Sequence, residues 1–433
     1  MSKIKRRNFL SGASLLGLGA VTSNQSTAAA QDASFPLDSP SQDDQTPSRL
    51  EFNSDGSFKV IQFNDTQDDH LTDKRTIEFM EHVLDAEKPG FVLINGDVIS
   101  AGPTTPKQVY QAINNVVLPM ESRGIPWAVT FGNHDEDSAE EGGTGVRHQH
   151  MTQFVRSYRH NRNAPASSGG YGASNTHLAL YDAATARFSF WLLDSGRYHP
   201  ETIGGQDAAD LPAYDYIHPE QIAWYAQQSD ALAAATGSQV EGLMFFHIPT
   251  YEHRDMWFGG RLKNGLLDHA KAVEKHGIKG EKNEDCYVGA FNSGIYAAAQ
   301  ARGDIRGIYC GHDHINTYMG NYYGIELGYG PGTGFGAYGL RDGTLAQHSL
   351  RGARVFEFSA NAESVYTGTR VIFAKDIGID MTPAKQPLKE PAALPEYVKL
   401  PEIDDASGSP SEPEENGSSQ SSWGLSSLSS SSS

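Results

Sequence analysis

Residues 127–135 read Trp-Ala-Val-Thr-Phe-Gly-Asn-His-Asp, an apolar run of strand-forming residues that passes without a spacer into Gly132-Asn133-His134-Asp135. A short apolar run bounded by a turn signal reads as a buried β-strand, and this one ends in side chains that bind metal ions. The same arrangement recurs along the chain. Residues 58–63 run into Asn64-Asp65-Thr66-Gln67, residues 91–94 into Asn95-Gly96-Asp97, residues 243–246 into His247-Ile248-Pro249, and residues 305–310 into Gly311-His312-Asp313-His314. Each motif alone is a weak signal, because Gly-Asp after a strand is usually a turn and one His is usually a satisfied core residue. Five strands ending this way, in one chain, are a far more specific pattern. The carboxyl ends of the strands are where α/β sheets collect their chemistry, since loops converge there on a rigid support.

Between these runs, and a sixth at residues 188–193, lie amphipathic stretches. Ile77, Met80, Val83 and Leu84 fall on one helical face, and Val109, Ile113, Val116 and Val117 on another. Alternating strands and helices predict parallel strands with helices packed on their faces. Beyond Tyr323 the pattern changes to strand-like pieces at residues 323–327, 354–358, 364–366 and 370–373, which predict antiparallel additions. The chain is thus expected to be a mixed α/β sandwich.

The order Asp-x-Gln, Gly-Asp, Gly-Asn-His-Asp, a strand-ending His and Gly-His-Asp-His resembles that of the calcineurin-like metallophosphoesterases. The resemblance spans residues 58–340. Leu193-Asp194-Ser195-Gly196, Ile217-His218-Pro219-Glu220-Gln221-Ile222, Asn292-Ser293-Gly294 and Gly328-Tyr329-Gly330 are similar to a narrower branch, the small non-purple relatives of purple acid phosphatases. It implies a four-layer α/β/β/α sandwich of two mixed sheets around two divalent metal ions. Asp65, Gln67 and His314 would then bind the first ion, Asn133, His247 and His312 the second, and Asp97 would bridge them. The implied reaction is hydrolysis of a small phosphorylated substrate by a metal-bound hydroxide, with His134 as proton donor and Asp135 either orienting it or serving as a loop acid. Asn316 and His70 are candidates for phosphate contact or loop residues. His253, with Tyr251, Glu252 and Arg254, is either pocket wall or exposed loop. The glycines of residues 328–336 lack a strand-to-helix context and read as close packing near the metals, not a nucleotide loop.

Two departures bear on the metals, which are expected among Mn, Fe, Mg and Zn. Gln67 stands where most of the wider family has His, and its amide oxygen favours harder ions such as Mn²⁺ or Mg²⁺. Ser100 stands three residues after Asp97, where purple enzymes place the tyrosine of their iron–phenolate colour. The protein is therefore expected not to be purple. Phosphomonoesters are the leading substrate class, with cyclic nucleotides or other small diesters as the alternative. A secreted binding protein on the same scaffold is the alternative of another class.

Composition sets outer bounds. The 433 residues are 38% hydrophobic and 20% charged, enough for a substantial core, and a net charge of −19 disfavours nucleic-acid packaging. Two cysteines, Cys286 and Cys310, are too few for a thiolate cluster, and their pairing is left open. Residues 1–30 carry Lys3, Lys5, Arg6 and Arg7, a weakly apolar stretch at residues 9–21 and Ala28-Ala29-Ala30, the layout of a signal peptide. Arg6-Arg7-Asn8-Phe9-Leu10 resembles a twin-arginine signal, which implies passage through an export machinery to a bacterial periplasm or exterior. An ordinary secretory leader or a basic arm is the alternative. Loss of those four cations takes the charge from −19 to −23. No segment is long enough to predict a membrane span, so a soluble mature protein is expected. Residues 31–50 read as a linker, 51–375 as the catalytic domain, and 376–433 as a Pro-rich linker followed by a disordered acidic tail with Ser at 14 of the last 28 positions.

Overall fold

The computed structural model describes residues 49–259, 268–340 and 345–403. The chain begins with β1 (Leu50–Glu51), β2 (Ser57–Phe63), α1 (Lys74–Glu87), β3 (Phe91–Asn95), α2 (Pro106–Glu121) and β4 (Trp127–Thr130). Short helices α3 (Asp137–Glu140) and α4 (His148–Arg156) lead to β5 (Thr176–Asp182), β6 (Thr185–Leu192) and a ribbon of β7 (Thr202–Ile203) with β8 (Gln206–Asp207). Next come α5 (Pro219–Thr236), β9 (Gly242–Phe245), α6 (Tyr251–Phe258), α7 (His269–His276), α8 (Ile295–Arg302) and β10 (Ile305–Cys310). The last strands are β11 (Met319–Tyr322), β12 (Ile325–Tyr329), β13 (Gly352–Ser359) and β14 (Tyr366–Phe373).

The helix starts follow local chemistry. Asp73 caps α1 by accepting from the Arg75 N–H, and Thr105 caps α2 ahead of Pro106, whose missing N–H costs nothing in the first turn. The strands form two main sheets. One runs β14-β13-β2-β3-β4, with β2, β3 and β4 parallel and β13 antiparallel to both its neighbours. The other runs β1-β5-β6-β9-β10-β12-β11, with β6, β9, β10 and β12 parallel.

Alternation along these strands divides their side chains between layers. Val60, Leu93 and Phe91 face Phe190, Leu243, Phe245 and Tyr309 in an aromatic core between the sheets. Ile61, Phe63, Val92 and Ile94 point the other way and pack with Phe79, Val83, Ile113 and Val117 of α1 and α2. On the far side, Met244, Ile308 and Cys310 pack with Tyr225 of α5, Met256 of α6 and Ile295 of α8. Helix, sheet, sheet, helix is the expected four-layer sandwich.

Several expectations shift in detail. β12 pairs in parallel with β10 and is antiparallel only to β11, so the change to antiparallel strands after Tyr323 is incomplete. The pieces at residues 364–366 and 370–373 belong to one region ending in β14. Leu50 and Glu51 pair with β5, so ordered structure begins inside the expected linker 31–50. At the other end, the described part of the expected Pro-rich linker is docked rather than free. Arg75 donates to the carbonyls of Asp380, Thr382 and Ala384, and the Leu388 N–H donates to Thr72, while Leu394, Val398 and Ile403 pack on the α1/α2 core. Cys286 and Cys310 are both free and buried, unpaired with each other. The leader and the Ser-rich tail lie outside the described residues. No described helix is long and apolar enough to cross a membrane.

Candidate metal centre

The loops after β2, β3 and β4 in one sheet, and after β9 and β10 in the other, meet at one edge of the sandwich. Asp65, Asp97 and His312 take left-handed backbone angles there, φ 48°, 48° and 72°, a conformation that costs a non-glycine residue of order 1–3 kcal/mol. The turns that hold these angles leave no room for larger neighbours. A Cβ on Gly132 would strike the Asp97 carboxylate, and one on Gly334 would lie 2.6 Å from the Asp65 carbonyl oxygen. The glycine run at residues 328–336 indeed packs backbone to backbone, with Gly334 N–H donating to Asp65 at 3.0 Å.

Asp97, His247 and His312 place ligand-type atoms within 4.8 Å of one another, and so do Asp65, Asp97 and His314. Asp97 belongs to both groups. His247 Nε2 lies 3.1 Å from Asp97 Oδ2, and His314 Nε2 lies 3.4 Å from Asp65 Oδ1. Gln67 and Asn133 adjoin the cluster through the backbone, the Gln67 N–H donating to the Asp97 carbonyl, and the N–H of His134, next after Asn133, donating to Asp97 Oδ1.

Buried polar atoms are normally hydrogen-bonded, and each exception calls for an explanation. Asp65 Oδ2, Gln67 Oε1, Asp97 Oδ2, Asn133 Oδ1, His247 Nε2, His312 Nε2 and His314 Nδ1 are all buried with no hydrogen-bond partner. The nitrogens of His247 and His312, two carboxylate oxygens and two amide oxygens, together with His314 Nε2 beside Asp65, make a donor set that fits a pair of divalent cations. Outer contacts fix the orientation of these groups. His247 Nδ1 is 3.0 Å from the Asn95 carbonyl, which orients the ring with Nε2 toward the cluster. Tyr338 stacks on His314 with centroids 4.1 Å apart.

The electrostatics agree with a site built for positive charge. Burial, reinforced by Asp97, pushes the Asp65 carboxyl up to about 8. Burial opposes ionisation of Asp97 too, but His247 beside it holds that carboxyl well below its ordinary range. Burial depresses His247, but Asp97, Asp65 and the Asn95 carbonyl together outweigh it and raise the ring to about 10. His312 and His314 are depressed by burial, His314 to about 3, which keeps both rings neutral and able to coordinate.

His134 is partly exposed at the rim, and its orienting partner is a correction to the expected one. Asp135 points inward, accepting from the Ile99 and Gly132 N–H groups. Asp137 instead holds His134 Nδ1 at 2.6 Å. Burial would lower the His134 pKa, but the bond to Asp137 and the charge of Asp97 outweigh it and hold the ring above its ordinary value. Arg197 then fixes Asp137 through a 2.6 Å bond and donates from Nε to the Asn133 carbonyl at 3.0 Å. Tyr198 accepts from Asn133 Nδ2. Sequence reading missed Asp137, Arg197, Tyr198 and Tyr338. Only Asp137 had a local signal, its spacing three residues after His134.

The three candidate substrate contacts are each engaged in local packing. Asn316 is buried and accepts from the N–H groups of Asn283 and Glu284, pinning a loop. His253 is fully buried in α6 with Nδ1 against Thr250, and burial lowers it to about 4, so it is a core residue. His70 Nε2 lies 3.2 Å from the Gln108 side chain and its carbonyl accepts from Asn115, which makes it part of the α2 packing.

A family model described as calcineurin-like phosphoesterase matches residues 58–316. The chain belongs to that family, whose members are phosphoric ester hydrolases. It is 28% identical over 323 residues to an Arabidopsis thaliana protein named probable inactive purple acid phosphatase 29, covering 67% of this chain and 75% of that one. It is 27% identical over 354 residues to Phosphatase DCR2 of Saccharomyces cerevisiae, covering 75% of this chain and 55% of that one. A crystal structure of a dimetal phosphatase from Danio rerio aligns over 73% of this chain and 99% of that one, with 13% identity and a TM-score of 0.41.

Proposed function

We propose that this chain is an exported phosphomonoesterase in which Asp65, Gln67 and His314 would hold one divalent cation, Asn133, His247 and His312 would hold a second, and Asp97 would serve both. The observation that carries this reading is the set of seven buried side chains, each with one donor atom lacking a hydrogen-bond partner. Divalent cations held there would supply Lewis acidity to a phosphoryl group and lower the pKa of a water nucleophile. The chain's own part is to place and move protons. His134, held through Nδ1 by Asp137, gives its Nε2 proton to the leaving oxygen, and Arg197 keeps Asp137 from turning away.

The Arabidopsis relative is named inactive; what supports activity here is that each of the seven positions carries a side chain able to coordinate, Gln67 through an amide oxygen where most of the wider family has His. Export rests on the leader with Arg6-Arg7, and a periplasmic or external location follows from it. The deciding measurement is hydrolysis of p-nitrophenyl phosphate and bis-p-nitrophenyl phosphate by metal-stripped protein, with Mn²⁺, Mg²⁺, Zn²⁺ or Fe²⁺ restored. Metal-dependent turnover of the monoester is expected. Preference for the diester would replace the monoesterase reading, and failure of every ion would return weight to a binding protein on this scaffold.

A further inference from the structure

Beside the candidate centre is a cavity of about 290 Å³ whose wall includes His148, Tyr171, Asp194, Arg197, Tyr198 and Asp215. It shares Arg197 and Tyr198 with the candidate centre, since both contact Asn133. A group leaving the phosphorus on the Asn133 and His134 side would enter this space.

The wall selects against charge. Asp194 accepts from the N–H groups of Ala173, Ser174 and Gly196, and Asp215 accepts from Tyr171, Tyr216 and His218. These carboxylates are occupied as acceptors and offer no donor to a second phosphate, whose oxygens need donors. The cation at the wall, Arg197, is committed to Asn133, Asp137 and Glu136. The side chains that remain on the wall are two tyrosine rings and one imidazole. Tyr171 and Tyr198 are 37% and 43% exposed. His148 is 93% buried, stacked on Phe131, and its Nε2 has no hydrogen-bond partner. A hydroxyl satisfies that nitrogen in either tautomer, because it can donate or accept. The cavity is also small, at the lower end of the volumes that bind organic ligands.

Resting on the phosphomonoesterase reading above, we infer that this cavity is the leaving-group subsite and takes a small, uncharged, polyhydroxylated group, so that the substrates are monophosphates of sugars or polyols. Tyr171 and Tyr198 cover the carbon face of that group and His148 meets one of its hydroxyls.

The test compares kcat/KM for glucose 6-phosphate, glycerol phosphate, p-nitrophenyl phosphate and ATP in the wild type, His148→Phe and Tyr171→Ala. The first variant keeps the stack on Phe131, and the second removes a ring that bonds Asp215 and stacks on His218, both outside the metal cluster. The wild type is expected to prefer the two polyol esters to ATP by at least tenfold. Each variant is expected to raise KM for glucose 6-phosphate about tenfold more than for p-nitrophenyl phosphate, the scale of one lost hydrogen bond. Equal losses on both esters, or a preference for ATP, would overturn the subsite. Saturation-transfer NMR with glucose 6-phosphate on the same proteins separates this inference from the reading beneath it. Contacts with tyrosine protons that vanish in Tyr171→Ala support the subsite even if no ester is hydrolysed, and their absence from the wild type sinks it whether or not p-nitrophenyl phosphate turns over.

Discussion

Asp97 carries more of the site than any other residue. It sits in a left-handed turn, belongs to both ligand clusters, and accepts from the His134 N–H. Replacing it with Asn keeps the shape and removes the charge. Asp97→Asn is expected to lower metal-dependent hydrolysis by at least 10³-fold and to reduce bound metal measured by elemental analysis, whereas unchanged metal content would break the bridging assignment. Asp137 acts one step away, by holding His134, the proposed proton donor. Its loss should depend on the leaving group, because a good leaving group departs without much help. Asp137→Asn is expected to cut kcat on an alkyl phosphate by about 10²-fold but on p-nitrophenyl phosphate far less. Equal losses on the two would mean that Asp137 is structural. Ser100, in place of a tyrosine, makes a third test: iron-loaded protein should show no strong visible charge-transfer band. The seven ligand candidates were legible because each follows an apolar strand, whereas Arg197 lies some sixty residues from His134 and nothing local marks it.

At the scale of elements, legibility followed burial. β2, β3, β4 and β10 are largely buried on both faces, because each is covered by the other sheet on one side and a helix layer on the other, even β4 at the sheet edge, so all four could be read directly. β5, Thr-His-Leu-Ala-Leu-Tyr-Asp, is half-buried near the sheet edge and alternates poorly, and it was missed. The docked segment after residue 376 was misread for another reason. Its prolines signal an extended chain without partners, but its partners lie about 300 residues earlier in sequence. The Asp73–Arg75 pair is the clamp, fully buried with a 2.7 Å contact, and it takes three carbonyls and the Gln386 N–H of that segment. Removing one partner of such a pair strands the other, at about 3–5 kcal/mol. Arg75→Ala is expected to lower thermal stability by that order and to open residues 380–390 to proteolysis ahead of global unfolding. Burial opposes the charge on Asp73, but the hydrogen bonds from Arg75 and Gln386 outweigh it and hold the carboxyl below its ordinary 3.8. Its stabilising contribution is therefore complete above that value and fades as pH falls through the lower, folded one. Protease sensitivity of the segment should rise only in strong acid, and a rise near pH 6 would assign the effect to another group.

Across the whole molecule, the site is where the two sheets are joined. One sheet ends in Asp65, Gln67, Asp97 and Asn133, and the other in His247, His312 and His314. Hydrogen bonds also cross the seam, since Asn95 Nδ2 donates to the Phe246 carbonyl at 3.0 Å and Gln62 Nε2 reaches that of Cys310. They act beneath a cluster of two buried carboxylates and three imidazoles, in which no lysine or arginine meets either carboxylate at hydrogen-bond distance among the described residues. A pair of divalent ions would offset that charge and draw ligands of both sheets onto common centres, so metal binding and sheet docking should be one equilibrium. A ligand present at a thousand times its dissociation constant stabilises the native state by about 4 kcal/mol. Chelation is therefore expected to lower Tm by several degrees in calorimetry, and added Mn²⁺ should restore it. Asp97→Asn, which already lacks the bridge, should show much less of that shift. A Tm indifferent to chelation in protein shown to contain metal would place the ions away from the seam, and the assignment of ligands to both sheets would fail with it.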